Sequence, residues 1–503
     1  MTKLTETPRR AGGSRAMLGS PVVQTVGVIL LYSYPALLLI ARGTILDPDI
    51  WWHLRTGQWV LQHHTVPTTD PFSQYGMGRP WLAYSWLFEV LIALLFAKFN
   101  LLGIFIYDAA MRVAVAVALH RLMRRLVPSP RWTLGLTALG VMAMMDKFGP
   151  RPGMFTILFF ILQYEVLSAA RRTGNYRLLF WLPPIYVLWV NLHVQFIYGL
   201  FVLSLEALAS LLARRLPRLS GSEGEAEISL SRILQVTAAC LAATLVNPYT
   251  LRIYGVVYDY ISQTGAFVLV SELRAPTFRS PYDWSLVAAI VMAFFVLGAH
   301  LRRFRLTDVL LLNVATILGL RAVRDAWFTA VVALGVIASG TAATAEPTSR
   351  RPRWQPAVVG AGVLVALFTM AAAFGISNPK LERTLAEDFP GGQFPAGAVQ
   401  YIEEQQLTGP LYNDFDWGGY LIWKLPRLRV YIDGRTNLYG DERLQRHVSV
   451  LRGSPNWSSD EDLAAAKLVI GNVKFPLTSL LRMDPRFRVA YEDKRAVVFQ
   501  SNR

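Results

Sequence analysis

The chain has 503 residues, of which 53% are hydrophobic and only 17% charged, and its mean hydropathy is +0.34. A soluble protein of this length carries about a quarter charged residues, so the composition excludes an ordinary soluble enzyme and indicates a membrane protein. The net charge of +16 does not indicate a nucleic-acid partner, because the excess cations lie in short loops between apolar runs. Residues 377–503 are nearly neutral, with 17 Lys and Arg against 16 Asp and Glu.

Eleven apolar segments are candidates for membrane-spanning helices, each of which needs about 20 mostly apolar residues. Together they predict an all-α transmembrane domain over residues 21–376, preceded by a cytoplasmic segment at residues 1–20. A further apolar run at residues 80–98 is predicted to be a juxtamembrane element that does not span. The eleven segments cover residues 22–42, 101–120, 132–147, 152–170, 178–191, 194–213, 229–247, 284–300, 306–322, 325–341 and 355–376.

The basic residues predict how these helices are oriented in the bilayer. They cluster in six short loops, and cytoplasmic loops of membrane proteins are enriched in lysine and arginine. All six loops are cytoplasmic only if residues 80–98 do not span, which favours eleven spans and a multi-pass protein of the cell (inner) membrane. The loops contain Arg9, Arg10 and Arg15; Arg121, Arg124, Arg125 and Arg131; Arg171, Arg172 and Arg177; Arg214, Arg215 and Arg218; Arg302, Arg303 and Arg305; and Arg350, Arg351 and Arg353.

The remaining connections are then extracytoplasmic, and the largest of them is the C-terminal part of the chain. Residues 377–503 alternate helix-like stretches with apolar strand-like runs at 430–432, 468–470 and 497–499, which predicts a small extracytoplasmic α/β domain. The other predicted external connections are residues 43–79, 149–153, 189–193, 247–282 and 321–325.

The first external connection, residues 43–79, carries the polar residues with the clearest spacing. It reads Asp-Pro-Asp-Ile-Trp-Trp-His-Leu-Arg from Asp47 to Arg55. On a helix Asp49 and His53 share a face, where a carboxylate beside an imidazole can deprotonate a hydroxyl or hold a divalent cation. An equally supported alternative is an interfacial helix that is merely capped by Asp49.

This run resembles the first external loop of the GT-C membrane glycosyltransferases, and most of all that of the oligosaccharyltransferase catalytic subunit. The family has Asp-Pro-Tyr-Tyr-His-Leu-Arg and then Pro-x-x-Asp, which residues 49–55 and 67–70 match in spacing, with Ile50 in place of the proline. The resemblance implies that Asp49 lies at the catalytic centre, with His53 orienting it or binding phosphate. It also implies two substrate-binding candidates, Asp47 and Arg55.

Two further stretches fit the same resemblance. Residues 270–272, Val-Ser-Glu, resemble the family's Ser-Val-Ser-Glu motif, which implies that Glu272 is a catalytic residue that helps to position the acceptor. Residues 416–420 and then 433–434 resemble the signature that opens the family's outer domain, although alone they are more typical of a glycine-rich turn before a helix. The residues implied to bind substrate are Asp416, Trp417 and Tyr420.

The second external connection departs from the family pattern. Family members carry an acidic pair for a metal there, whereas residues 146–152 read Asp-Lys-Phe-Gly-Pro-Arg-Pro with a single acid. A divalent cation such as Mg²⁺ or Mn²⁺, with Asp49 as a ligand, is therefore left open as a cofactor. Arg151 is a further candidate substrate-binding residue. The outer-domain signature lacks the order that reads an asparagine acceptor, so protein N-glycosylation is not implied.

Charged and polar residues inside or beside the apolar segments are costly in a membrane and therefore informative. Arg321 and Arg324 end a helix on the predicted outer side, where guanidinium groups can hold a lipid-linked phosphate. His193 is a candidate cavity-lining residue, and a hydrogen-bonded interface histidine is equally consistent with its position. Asp108 and Arg112, four residues apart, predict a structural ion pair.

Taken with the resemblance, these residues predict a transferase that moves a sugar or glycan from a polyprenyl-phosphate-linked donor to an unidentified acceptor at the outer face. Asp49 is then the base, the outer arginines receive the leaving phosphate, and direct displacement inverts the sugar carbon. The main alternative is a multi-pass transporter of a lipid-linked or small polar substrate, whose polar residues would gather at the bilayer midplane. A non-catalytic assembly protein with a GT-C-like fold is the third interpretation.

Overall fold

The computed structural model describes residues 21–42, 47–215, 228–341, 355–375 and 394–503. The predicted segment 1–20, residues 377–393 and the basic loop at 350–353 lie outside the described residues, as does Arg218. The helices up to residue 375 are α1 (Pro21–Arg42), α2 (Ile50–His63), α3 (Trp86–Phe99), α4 (Leu101–Leu126), α5 (Pro130–Ala143), α6 (Gly153–Thr173), α7 (Leu182–Leu192), α8 (Phe196–Arg215), α9 (Leu230–Ala243), α10 (Ile253–Ser262), α11 (Ala266–Leu269), α12 (Pro281–Ala299), α13 (Leu306–Arg321), α14 (Ala326–Thr341) and α15 (Pro356–Gly375).

A helix occupies each of the eleven predicted spans, and their apolar composition makes the chain an integral membrane protein. Within the described ranges, four stretches are long and apolar enough to cross a bilayer on their own: Leu101–Leu126, Gly153–Thr173, Pro281–Ala299 and Val323–Thr341. Shorter apolar helices cover Val22–Leu38, Phe196–Leu212, Leu230–Ala243 and Pro356–Thr369. The number of about eleven spans stays a prediction.

Helix α4 lies at the centre of the helical domain, where it packs against α1, α3, α5, α6 and α15. Its buried Arg112 donates from Nε and Nη2 to the two carboxylate oxygens of Asp108, at 2.8 and 2.9 Å. The same Nη2 donates to the carbonyl of Phe148 at 2.9 Å and so ties α4 to the connection before α6. The predicted structural ion pair is confirmed.

Two buried glutamates of the helical domain are paired with arginines from the predicted cytoplasmic loops. A carboxylate in an apolar bundle is tolerated only when it is paired, so these contacts explain why the glutamates are there. The pairs are Glu165 with Arg121 and Arg125, and Glu206 with Arg171 and Arg305.

Helix α3 forms most of the run at 80–98 that the sequence predicts to be juxtamembrane, and it packs on α2. The helices cross closely because Gly57 has no side chain: a Cβ there would lie 1.9 Å from the carbonyl oxygen of Glu89. Asn100, with a φ of 51°, turns the chain from α3 into α4. At the end of α3 the ring of Phe96 meets that of Trp423 edge-on at 5.2 Å, so α3 also contacts the C-terminal domain.

The C-terminal domain is a small α/β unit whose sheet has the strand order β1-β2-β4-β3. Strands β1 and β2 are parallel, and β4 runs antiparallel to both of its neighbours. Its elements are α16 (Ala396–Glu404), β1 (Leu411–Asn413), α17 (Gly418–Lys424), α18 (Thr436–Leu451), α19 (Glu461–Ala465), β2 (Leu468–Asn472), α20 (Pro476–Leu481), β3 (Phe487–Glu492) and β4 (Ala496–Ser501).

Two of the three predicted strand-like runs lie in this sheet, within β2 and β4, but the run at 430–432 does not. The side chain of Asn413, at the end of β1, takes the backbone hydrogen bonds of this run: it accepts from Tyr431 N and donates to the Ile432 carbonyl, both at 2.8 Å. Val430 instead pairs with the first connection, where its carbonyl accepts from Gln74 N at 2.9 Å. Residues 430–432 are therefore not a strand of the sheet. They lie at the seam, which is the junction between the first external connection (residues 43–79) and the C-terminal domain.

Candidate active site

Asp49 immediately precedes α2, but its side chain makes no capping hydrogen bond to the helix backbone. Trp52 Nε1 donates to Asp49 Oδ1 at 3.0 Å, and the Asp49 backbone N–H donates to Asp47 Oδ1 at 2.9 Å. The alternative that Asp49 serves as a helix cap is therefore not what the structure shows. The carboxylate is held instead by an indole one turn further along α2.

The electrostatic surroundings of Asp49 suit a proton acceptor. Burial raises the pKa of Asp49 to about 7, although the Trp52 hydrogen bond lowers it, and the charges of Glu272, Asp433 and Asp416 add to the rise. General bases work best when their pKa lies near the operating pH. Asp49 therefore has the environment expected of a catalytic base.

His53 does not act on Asp49 as the helical spacing predicts. Its Nδ1 lies 3.1 Å from Glu89 Oε1 of α3, and the pair is buried between the two helices. Burial lowers the pKa of His53 well below its usual value, so the imidazole is neutral at pH 7. Arg55 points along α2, where its Nη1 donates to Gln58 Oε1 at 3.2 Å. The structure therefore pairs His53 with Glu89, and the expected contact between His53 and Asp49 is wrong.

Arg151 joins two of the predicted site residues. It lies just before α6, and its guanidinium forms ion pairs with Asp47 of the first connection and Glu272 of the connection before α12. Tyr107 of α4 donates to the Arg151 carbonyl at 2.9 Å and fixes the backbone beneath the pair. Three of the connections that are predicted to be external therefore meet at this guanidinium.

Glu272 is surrounded by positive charge. Burial alone would raise the pKa of Glu272, but Arg151, Arg324 and Lys147 outweigh it and the pKa is lowered. Glu272 is therefore an ionised carboxylate that lies among three cations, close enough to Asp49 for its charge to act there.

The segment that carries Glu272 is fixed at both ends. On one side, the backbone N–H and Oγ1 of Thr264 both donate to Asp441 Oδ2 of the C-terminal domain, at 2.8 and 2.9 Å. On the other side, the Val323 N–H donates to the Arg274 carbonyl at 2.9 Å, which joins the segment to the turn before α14. These contacts hold Glu272 between the helical and C-terminal domains.

The remaining predicted polar residues differ in their exposure. His193 lies between α7 and α8 with Nδ1 2.7 Å from Thr156 Oγ1, and burial lowers its pKa to about 3, so the imidazole is neutral. Arg324 is partly buried, with its guanidinium carbon 5.8 Å from the centre of the Tyr260 ring. Arg321, one turn earlier at the end of α13, is exposed.

Two glycines allow the C-terminal domain to approach the first connection. A Cβ on Gly434 would lie 1.9 Å from Asp49 Oδ1, and one on Gly419 would lie 2.7 Å from the Pro48 carbonyl oxygen. Any larger residue at these positions would displace the segment that carries the proposed base. The resemblance to the outer-domain signature thus falls on residues that build one wall of the site.

A buried ionic network fastens the same seam. Arg435 of the C-terminal domain donates to Asp70 Oδ1 at 2.5 Å and to both carboxylate oxygens of Asp433, at 2.8 and 2.7 Å. Its guanidinium carbon also lies 4.7 Å from the centre of the Trp81 ring. The side chains of all three charged residues are at most 1% exposed, so Asp70 of the predicted Pro-x-x-Asp motif is structural.

The three substrate-binding candidates of the C-terminal domain separate in the structure. Asp416 is exposed, and its charge contributes to the raised pKa of Asp49. Trp417 and Tyr420 are buried; the Tyr420 ring stacks on Phe394 at 4.8 Å and meets Trp51 edge-on at 5.5 Å. The Tyr420 ring therefore packs the domain seam instead of lining a substrate surface, which corrects the expectation drawn from the resemblance for this residue, whereas for Trp417 the structure shows a buried ring.

Lys147 is a site residue that sequence reasoning missed. It ends a turn at Met145–Lys147, where the negative charges of Glu272, Asp146 and Asp325 act on its ammonium group. Those acids lie in three different connections. The available signal is its position as the one lysine in residues 146–152, the stretch whose pattern departs from the family.

The expected metal ligand Asp49 has no supporting cluster around it. Among the described residues, no group of three or more His, Cys, Asp or Glu side chains is arranged to hold a metal ion. Three of the acids near Asp49 are engaged by arginines, Asp47 and Glu272 by Arg151 and Asp433 by Arg435, and a fourth, Asp416, is exposed.

No protein-family model and no curated protein matches this sequence. Among solved structures, the chain is similar to the oligosaccharyltransferase of Archaeoglobus fulgidus, both in the apo form and tethered to an acceptor peptide containing the NVT sequon. Each match has a TM-score of 0.53 and 12% identity over 90% of this chain and 69% of that one. The same enzyme in complex with an inhibitory peptide and a dolichol-phosphate gives a TM-score of 0.52, also at 12% identity over 90% and 69% of the chains.

ArnT from Cupriavidus metallidurans bound to undecaprenyl phosphate gives a TM-score of 0.49, with 16% identity over 95% of this chain and 97% of that one. The likeness to the oligosaccharyltransferase structures establishes the fold: the chain has the GT-C architecture that the first-loop resemblance predicted.

Proposed function

We propose that this GT-C-fold chain moves a sugar or glycan from a polyprenyl-phosphate-linked donor to an acceptor at the outer face of the membrane. The observation that carries the proposal is a base with a pKa of about 7, Asp49, beside a group of cations around Glu272. The fold supports it, because an oligosaccharyltransferase of the same architecture has been solved in complex with dolichol-phosphate. What is transferred, and to which acceptor, is part of the proposal.

Arg324 and Lys147 are the proposed contacts for the donor phosphate. Negative charge grows on the phosphate as its bond to the sugar breaks, and cations already in place at a partly buried site stabilise that charge most effectively. Among the described residues no acceptor lies within hydrogen-bond reach of the buried Nε of Arg324, so this nitrogen has a donor available for a phosphate oxygen. Arg321, being exposed, would contribute more weakly.

Asp49 is the proposed base for the acceptor. It takes the acceptor's proton as the acceptor atom attacks the anomeric carbon, and the phosphate leaves with the bonding electrons, which inverts that carbon. The exposed carboxylate of Asp416 adds negative charge near Asp49, which is where the acceptor would bind. An acidic acceptor side disfavours an anionic acceptor and favours a neutral polyhydroxyl group or a cationic one.

The proposal is tested by donor turnover. The purified chain in lipid nanodiscs is mixed with a panel of short-chain polyprenyl-phosphate sugars and acceptors, and released polyprenyl phosphate is measured by mass spectrometry. We expect turnover by the parent and a loss of about 10²- to 10⁴-fold in Asp49→Asn, as is typical when a general base is removed. Glu403→Gln, an exposed carboxylate on α16, is the matched control and should behave like the parent.

The alternatives give different results in the same preparation. A chain that binds polyprenyl phosphate yet releases no sugar from any donor of the panel would support the non-catalytic assembly protein. Passage of an intact donor across a sealed liposome, unaffected by Asp49→Asn, would support the transporter. Parent-rate transfer by a folded Asp49→Asn variant would place the base elsewhere.

A further inference from the structure

Arg151 is the residue on which the outer connections converge. Its Nε pairs with Asp47 and its Nη1 with Glu272, at sequence separations of 104 and 121 residues. Neither pair uses Nη2, and 33% of the side chain remains exposed. A cation thus holds two carboxylates of different loops together and is still accessible to a ligand.

Two carboxylates brought from separate loops to one position form the beginning of an oxygen donor set for a divalent cation. Here a guanidinium occupies the position between them. Lys147 and Arg324 place two further positive charges near Glu272, and repulsion by these cations opposes the binding of a doubly charged ion. Asp49, the expected ligand, has its Oδ1 engaged by Trp52. The residues present do not fit Mg²⁺ or Mn²⁺.

We infer that Arg151 is a built-in cation that takes the place of a divalent metal ion, and that sugar transfer by this chain needs no metal. The part about transfer rests on the proposed function, whereas the part about metal binding does not. Arg151 ties the Asp47–Asp49 segment to the segment of Glu272, which is the bridging task that a metal would perform. It is therefore a positioning residue, and its fixed charge adds to the field that a leaving phosphate meets.

Binding of Mn²⁺, followed by electron paramagnetic resonance on the purified chain in phosphatidylcholine nanodiscs, tests the inference. Arg151→Glu replaces the cation with a third carboxylate next to Asp47 and Glu272. We expect no Mn²⁺ bound by the parent above empty nanodiscs. Arg151→Glu should bind one Mn²⁺ per chain with a Kd on the order of 10⁻⁴ M, and the double variant Arg151→Glu, Glu272→Gln should lose it again.

Stoichiometric binding of Mn²⁺ by the parent that disappears in Glu272→Gln would overturn the inference, and so would a folded Arg151→Glu variant that gains no Mn²⁺. If Arg151→Glu does not fold, the presence or absence of bound Mn²⁺ in the parent still decides whether the inference holds. Sugar transfer by the parent that survives excess EDTA supports the inference that transfer needs no metal. Sugar transfer that is lost in EDTA but restored by Mn²⁺ refutes it. A parent without transfer in any condition rejects the proposed function and leaves the binding result standing.

Discussion

Asp49 is subject to opposing influences, since burial and neighbouring acids raise its pKa to about 7 while the Trp52 hydrogen bond lowers it. A base must be ionised to act, so kcat/KM should rise with pH through this value. Asp416→Asn removes one of the negative charges that favour the protonated form, so the rising limb should move to lower pH. A pH–rate profile of parent and variant measures the shift. A rising limb at the same pH in Asp416→Asn and the parent would show that the charge of Asp416 does not affect the pKa of Asp49.

Arg321 and Arg324 differ in burial, and this difference predicts different effects on donor binding. Truncation of a desolvated charged partner costs about 2–5 kcal/mol, so Arg324→Ala should weaken binding of a polyprenyl phosphate by that amount. Arg321→Ala should lose far less because Arg321 is exposed and screened by solvent. Arg303→Ala, at the predicted cytoplasmic end, is the control. Titration in nanodiscs gives the affinities, and equal losses for Arg321 and Arg324 would contradict the assignment.

Some site residues could be predicted from the sequence because a short pattern carried them. Asp49 and Glu272 belong to motifs that resemble a known family, and in the structure they lie close enough for the charge of Glu272 to raise the pKa of Asp49. The partner of His53 was missed because Glu89 lies on a different helix, and helical spacing describes only contacts within one helix. Lys147 has no motif at all, and only the fold brings it near Glu272.

At the scale of elements, the seam between the first connection and the C-terminal domain depends on one buried cation. Arg435→Met would leave Asp70 and Asp433 buried without a counter-charge, which typically destabilises a protein by about 3–5 kcal/mol. Arg482→Met breaks an exposed pair and should have no measurable effect. Thermal unfolding of both variants in the same nanodiscs provides the comparison. Similar unfolding midpoints for the two would show that the network does not stabilise the seam.

The helical elements were predictable because the bilayer imposes a strong rule: every backbone polar group in it must be satisfied within its own segment. A helix therefore covers every predicted span that the structure describes. Residues 430–432 were not predictable in this way, because their apolar pattern is typical of a strand although they form no strand of the sheet. Its partner is chosen by one side chain, Asn413, which occupies the adjacent sheet edge. No periodicity of residues 430–432 contains that information.

At the scale of the whole molecule, charge is distributed differently at the two ends of the helical domain. At one end Glu165 and Glu206 are each paired with two arginines of basic loops. At the other end Arg151 is paired with two acids of separate connections. An excess of arginine at one end agrees with the positive-inside rule and predicts that this end is cytoplasmic.

Membrane orientation can be measured with single cysteines in a Cys240→Ala background, where Cys240 is buried and behaves as a small apolar residue. Glu403→Cys, Lys98→Cys and Arg303→Cys all introduce the thiol at exposed positions. We expect a membrane-impermeant maleimide to label the first two from outside the cell and Arg303→Cys only after permeabilisation.

The decisive position is Lys98, at the end of α3. Phe96, two residues earlier, contacts Trp423 of the C-terminal domain at 5.2 Å, so Lys98 and Glu403 must lie on the same side of the bilayer if α3 is juxtamembrane. Labelling of Lys98→Cys from the cytoplasmic side alone would mean that α3 crosses the membrane. The basic loops after α4 would then face outward, and Asp49 and Lys147 would no longer share one face with an external donor.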